Sequence, residues 1–295
     1  MKKLLLLAAP LLLAQAPPPS LVNTSADDIA ANAPGAHWLD INPDHIMVMD
    51  SAAGRMVIQL APQFAPQHVA AIQKLVRAGR FDDGRIVRVQ DNYVVQWGDA
   101  TEKKALPEAL ATMEAKDYVT PDWPSKDWIF ARADGRPDAY AGAHGFYIGW
   151  PLAQGREGLW PIHCYGMVGV GRNLAPDTGT GAELYTVIGH APRHLDRNIA
   201  LVGRVIEGIE HLSSLPRGTG ALGFYEKETE RVPILSVRLG DAVRDVPAFE
   251  YLDTNSASFA AYADARANRR DPFFNVPAGG ADICNIPVPI RRKAK

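Results

Sequence analysis

Arg88 is the residue whose type and setting most invite chemistry. It lies in "GRIVRVQDNYVVQWGD", residues 84–99, a permanent cation between valines in a stretch that otherwise reads as core. A guanidinium presents five N–H donors in a planar fork and keeps its charge at neutral pH. With a period of two, Ile86, Arg88 and Gln90 share one face of a strand, and Val87 and Val89 share the other. The valine face is expected to fill a core. The arginine face then looks outward, where the guanidinium either meets only water or works on a ligand. Other chemistry is weighed the same way. His190 and His194 are four apart with Asp196 nearby, a spacing that binds zinc on a helix, but Pro192 between them argues for a turn. His163 beside Cys164 offers a metal-binding or nucleophilic pair by type alone, so a zinc hydrolase on these histidines stands as a third reading. "GRNLAPDTGTG" lacks the Lys-Ser/Thr ending of a phosphate loop, and no GxSxG elbow or paired-carboxylate signature occurs.

The elements that must position Arg88 are short strands. Apolar runs at 46–49 and 56–60 flank a turn containing Gly54, a hairpin pattern. "FAPQHVAAIQKLVRAG" follows, with Pro66 suited to a first helical turn, Gly79 to a C-terminal cap, and Val69, Ile72, Leu75 and Val76 on one face. Strands are expected at 85–90 and 93–97, then at "FYIGW", "GMVGVG", "LYTVIG" and "IALVGRVI", followed by a short helix in "EGIEHLSSL" and a last strand in "VPILSVRLG". About eight short, turn-separated strands and two helices imply a mainly β domain at 43–240, a closed barrel or a sandwich. Residues 100–145 read as a long ordered insertion, with a short helix in "EKKALPEALATMEAK" interrupted by Pro107. Residues 17–42 read as a linker or irregular arm. The C-terminal extension, 241–295, carries one helical pattern, "NSASFAAYADARANRR", and is expected to pack on the barrel.

Composition limits the partners. A net charge of −2 on 295 residues excludes the basic excess of a general nucleic-acid or membrane-surface binder. The first 16 residues, with two lysines, an apolar run and Ala14-Gln15-Ala16, read as a cleavable signal peptide, against the alternative of an uncleaved anchor. The run is too short to span a bilayer, so no stable membrane insertion is expected after cleavage. The mature chain would begin near Pro17 and be periplasmic or secreted. Export permits disulfides. Cys164 and Cys284 either pair, pinning the tail to the main domain, or remain two buried thiols, and two cysteines are too few for a thiolate zinc cluster.

The order of motifs resembles the cyclophilin-type peptidyl-prolyl isomerases. "GRMVIQLAPQFAPQHVAAIQKLVRAGRFDDGRIVRVQDNYVVQWGD" is similar to their first half, and "GMVGVGR", "GTGAELYTVIG", "HLDRNIALVGRVIEGIE" and "VPILSVRL" follow in the order of their second half. The resemblance spans about 43–240 and implies a closed eight-stranded antiparallel β-barrel capped by two α-helices. It also implies cis–trans isomerisation of X-Pro bonds in proline-containing polypeptides, without cofactor or metal, and sensitivity to cyclic-peptide inhibitors. By that resemblance Arg88 stands at the catalytic arginine, Tyr93 and Val94 line the proline pocket, and Gln96 contacts substrate. Gly171 and Arg172 meet the substrate backbone, Glu183 stands where Gln is usual, and Tyr185 takes the place of a pocket Phe. His194 and Leu195 form the rim, with Leu195 a pocket wall, and Ile199 stands where other members carry His or Tyr. Departures bear on the activity. Val87 replaces a His, Trp97 replaces a Gly and is expected to crowd the neighbouring loop, and Glu183 is expected to be able to pair with Arg88 and blunt its donors. Glu183, Trp97 and the insertion favour the alternative of a catalytically weak cyclophilin-like binding or chaperone module for Pro-containing segments.

Overall fold

The computed structural model describes residues 23–99, 104–107, 110–120 and 138–294. The segment read as a signal peptide, 1–16, lies outside the described residues, as does much of the insertion. In chain order the main elements begin with α1 (Ala26–Ala31), β1 (Trp38–Asp40), β2 (Ile46–Ser51), β3 (Gly54–Leu60), α2 (Pro66–Arg77), β4 (Arg85–Val89) and β5 (Val94–Gly98). Then come β6 (Ala143–Tyr147), β7 (Trp150–Gly155), β8 (Gly158–Pro161), β9 (Met167–Val170), β10 (Glu183–Val187), β11 (Leu201–Glu207) and α3 (Glu210–Ser213). The chain ends through β12 (Val232–Leu239), β13 (Phe249–Leu252), α4 (Ala257–Asn268) and β14 (Ile290–Arg292).

Eight strands close into an antiparallel barrel in the order β10, β5, β4, β12, β2, β3, β11, β9. Alternation decides what fills it. Met47 and Met49 of β2 point in with Met56, Ile58, Val95, Trp97 and Val202, while Ile46 and Val48 point out against Val57 and Phe249. Helix α2 caps the barrel with Val69, Ile72, Leu75 and Val76 buried on its apolar face. Its end is a Schellman motif: Gly79 N–H donates to the Val76 carbonyl and Arg80 N–H to the Leu75 carbonyl, both at 3.0 Å. Gly79 adopts φ +65° there, a left-handed conformation that costs a glycine little. The second capping helix, α3, is a single turn that buries Leu212 in the same core.

Several expectations change. "FYIGW" does not enter the barrel; it spans the turn between β6 and β7, which with β8 form a separate three-stranded sheet. The described residues of "EKKALPEALATMEAK" are irregular up to one 3-10 turn at Ala115–Tyr118. The described part of the arm, 23–42, carries regular structure: α1 is capped by Ser25, and β1 pairs with β13, which pairs with β14. These additions share a second core, in which Ile29, Trp38, Phe146, Trp150, Trp160, Phe259, Tyr262 and Ile283 meet Met167 and Leu201 of the barrel wall. Arg204 of β11 stitches the two together, donating to Gln59 Oε1 at 2.9 Å and to the Gly149 carbonyl at 2.6 Å, over the Trp150 ring. Cys164 and Cys284 form a disulfide with Cα atoms 5.1 Å apart, which decides the alternative left open by their spacing.

Candidate active site

The site begins with an irregularity in β4. Ile86 faces Trp97 and Arg88 faces Gln96, so β4 carries one extra residue, Val87, against β5. The bulge breaks the strict alternation expected from sequence. Val89 enters the barrel core as expected, Ile86, read on the arginine face, joins it there, and Val87, read with Val89, does not. A bulge re-aims the next side chain, and here it turns Arg88 onto the outer groove opposite Gln96. The segment at 218–225 runs along the other edge of the strand: Gly218 N–H donates to the Val89 carbonyl at 3.0 Å and Tyr225 N–H to the Val87 carbonyl at 2.9 Å.

Arg88 is held but not exhausted. Its Nε donates to the Leu222 carbonyl at 2.7 Å, its Nη1 to Gln96 Oε1 at 3.1 Å, and its Nη2 to Gln90 Oε1. Among the described residues these contacts use three N–H donors, so each terminal nitrogen keeps one for a ligand. The Tyr93 and Phe224 rings lie with centroids 5.7 and 5.4 Å from the guanidinium carbon. Partial burial pulls the guanidinium below its usual range, and negative charge at Glu183 opposes this. It stays protonated near neutral pH.

Glu183 does not take Arg88 directly. Gln96 stands between them, its Nε2 donating to Glu183 Oε1 at 2.9 Å while its Oε1 accepts from Arg88. The carboxylate accepts only, so it fixes the amide with the oxygen toward the guanidinium. Trp97, expected to crowd the neighbouring loop, points into the barrel, buried with its ring 5.6 Å from that of Phe81.

Beside the guanidinium is an apolar pocket. Val94, Tyr185 and Val187 are buried there, with Tyr93, Leu195 and Ile199 packed against them. Tyr93 forms its outer lip, with its hydroxyl 3.2 Å from His194 Nε2 and the two rings stacked. The cavity measures about 550 Å³ and is lined by Arg88, Tyr93, Val94, Gln96, Gly171, Arg172, Glu183, Tyr185, Leu195 and Ile199 together. His194 does not line it and reaches it through Tyr93. Gly171 leaves room for Glu183, whose Cγ would sit 3.1 Å from an added Cβ. Arg172 is tied down, donating to the Asn198 carbonyl at 3.0–3.1 Å and to the Asn173 carbonyl at 2.6 Å.

Sequence reasoning missed two parts of this cavity. Leu222 and Phe224 lie on the Arg88 side, in the glycine-rich "RGTGALGF", whose pairing of large apolar residues with glycines is the available signal. Arg80, Asp99 and Lys104 lie on the other side, with Arg80 Nη1 donating to Asp99 Oδ2 at 3.0 Å. The histidines weighed for zinc are engaged otherwise. His163 Nδ1 meets Asp196 Oδ1 at 2.9 Å, His194 meets Tyr93, and His190 is exposed with its backbone N–H on Asn92. Among the described residues no group of three or more His, Cys, Asp or Glu could hold a metal ion. None of the described helices is long and apolar enough to cross a membrane.

Residues 46–239 match the profile of the family described as "Cyclophilin type peptidyl-prolyl cis-trans isomerase/CLD". A "Probable peptidyl-prolyl cis-trans isomerase" of Brucella suis biovar 1 is 22% identical over 194 residues, 65% of this chain and 81% of that one. "Peptidyl-prolyl cis-trans isomerase CYP23" of Arabidopsis thaliana is 26% identical over 192 residues, 64% of this chain and 69% of its own. The crystal structure of the cyclophilin AquaCyp293 from Hirschia baltica superposes with a TM-score of 0.70 at 22% identity, covering 91% of this chain and 98% of that one. That coverage exceeds residues 46–239, so the likeness of fold extends into the segments packed around the barrel.

Proposed function

The chain belongs to the cyclophilin-type peptidyl-prolyl cis-trans isomerase family, and we propose that it works on exported chains as they fold, using the groove at Arg88. It is a peptidyl-prolyl isomerase. Rotation about an X-Pro bond costs about 18–20 kcal/mol because amide resonance is lost as the bond twists. Uncatalysed exchange therefore takes on the order of 10–100 s. Such a reaction needs no nucleophile. It needs the ring held fast and donors that favour the twisted amide over the planar one.

The observation that carries this reading is the uncommitted pair of Arg88 N–H donors beside the apolar pocket. The proline ring enters between Tyr93, Val94, Tyr185 and Leu195. Arg88 donates to the prolyl nitrogen as it pyramidalises, or holds the carbonyl beside it, with Gln96 oriented to share the backbone. Gly171 and Arg172 line the path of the neighbouring residues. Cyclic peptides that fill the same pocket are expected to compete with substrate. The signal-peptide pattern read at 1–16 and the disulfide both support an oxidising, exported setting.

The test is a protease-coupled assay on an Ala-Pro peptide. Wild type accelerates exchange, and Arg88→Ala loses about 10²-fold or more in kcat/KM, the scale of removing one preorganised donor. Equal rates for the two proteins would overturn the role of Arg88.

A further inference from the structure

The wall of the proline pocket raises a question of support. Tyr185 is buried, and its hydroxyl has no hydrogen-bond partner among the described residues. The hydroxyl therefore does not anchor it. On one side the ring is confined by Gly169, which faces it across the β9–β10 pairing; a Cβ there would lie 2.2 Å from the Tyr185 oxygen. On another side is the imidazole of His163, stacked at 19° with ring centroids 6.2 Å apart.

His163 is itself fixed with unusual care for a residue outside the groove. Its backbone N–H and its Nδ1 both meet Asp196 Oδ1 at 2.9 Å. Nδ1 therefore carries the proton, and Nε2 is left without a partner among the described residues. The second oxygen of Asp196 accepts from Arg193 Nε at 2.8 Å, and Arg193 Nη2 donates to Asp138 Oδ2 at 2.9 Å. The four side chains are 1–3% exposed. The next residue along from His163, Cys164, is bonded to Cys284 of the tail. A run of hydrogen bonds thus leads from the insertion and the rim turn to an imidazole face lying against a pocket wall that has no polar anchor of its own.

We propose that His163 is a positioning residue of the isomerase: Asp196 sets the plane of its ring, and that ring sets Tyr185 as the floor on which the substrate proline packs. The proposal rests on the isomerase reading of the groove, which the Arg88→Ala comparison tests independently. It is a role in substrate binding, transmitted through Tyr185 and not through contact with the reacting amide.

Two substitutions separate the ring from the hydrogen bond. His163→Asn keeps a donor near the Nδ1 position and removes the ring. His163→Phe keeps a ring and removes the donor. With an Ala-Pro peptide, His163→Asn is expected to raise KM about 3- to 10-fold with kcat little changed, the scale of one aromatic contact. His163→Phe is expected to return KM to near the wild-type value, while melting at a lower temperature than His163→Asn. A purely structural histidine predicts the same order in both measurements, with Asn the milder change, and that result would overturn the proposal. If His163→Phe does not fold, the Tyr185→Leu background decides. There His163→Asn should change KM less than about twofold, because the ring it acts through is gone. An equal rise in both backgrounds also overturns it. Either failure leaves wild-type acceleration and its loss in Arg88→Ala untouched.

Discussion

In front of the apolar pocket, Arg88, Gln96 and Glu183 exchange hydrogen bonds at the edge of water, and the guanidinium keeps donors in hand. Behind it, Asp196 and Arg193 are bonded from several sides, with side chains 2–3% exposed. Both regions are clusters of charge within one wall's thickness of the same cavity. They differ because a partly hydrated charge can leave donors open for a ligand at modest cost. A charge inside protein must be matched by partners already present. On the proposed reading the reacting amide meets the exposed side, and the buried side holds the wall behind it in place.

The contrast can be broken by substituting each side and reading both stability and activity. The largest effect on stability is expected at Asp196→Ala. It leaves the Arg193 guanidinium and the His163 imidazole buried without their shared acceptor, a loss of about 3–5 kcal/mol for a buried pair broken on one side. Arg88→Ala should change stability by less than about 1 kcal/mol, since its acceptors can turn to water. Urea unfolding of the two variants measures this. Equal losses would mean that front and back are not energetically distinct.

Next in size is the bridge that holds the tail against the back of the pocket. Cys164→Ser with Cys284→Ser should cost about 2–4 kcal/mol. Thermal melts of the wild type with and without a thiol reductant should reproduce most of that difference. The acid limb of stability is smaller and specific. Burial alone would raise the Asp196 carboxyl, but the hydrogen bond and charge of His163, with the charge of Arg193, hold it below the ordinary carboxylate range. A carboxyl that binds its proton more weakly when folded stabilises fully above about pH 4, the unfolded value. That contribution is lost as pH falls through the lower folded value. Unfolding midpoints between about pH 5 and pH 2.5 should therefore fall more steeply for wild type than for Asp196→Asn. Asp50 and Asp82 shift in the same direction through their arginine partners, so the difference between the proteins, not the wild-type slope, is the measurement.

How far the sequence reached follows the same division. The barrel was legible because period-two runs and turn residues are local. Pro66 and Gly79 marked helix α2 to within two residues. Arg88 stood out because a cation among valines conflicts with its surroundings. The bulge at Val87 was not legible, since an extra residue on one strand shows only once its partner is in register. "FYIGW" misled for a related reason: strand propensity does not say which sheet a strand joins. His163 stands out in sequence only by its residue type beside Cys164. Its partner Asp196 and, beyond it, Arg193 lie about thirty residues away and Asp138 about twenty-five, and no spacing rule brings them together. The sequence shows Glu183 as a departure and suggests Arg88 as its neighbour; only the fold shows Gln96 interposed.

Glu183 supplies the finest test of the front side. If its task is to orient the Gln96 amide, the charge is dispensable and the acceptor is not. Glu183→Gln keeps an oxygen that can accept from Gln96 Nε2, so kcat/KM should stay within about threefold of wild type, under about 1 kcal/mol. Glu183→Ala removes the acceptor. The amide can then turn its NH₂ toward Arg88, where donor faces donor, and one of the guanidinium's three acceptors is lost. Its kcat/KM should fall further than that of Glu183→Gln. The reverse order, with the neutral isostere worse than alanine, would mean that the negative charge beside Arg88 is what matters. The front of the pocket would then work by charge balance, as the back does, and not by leaving donors free.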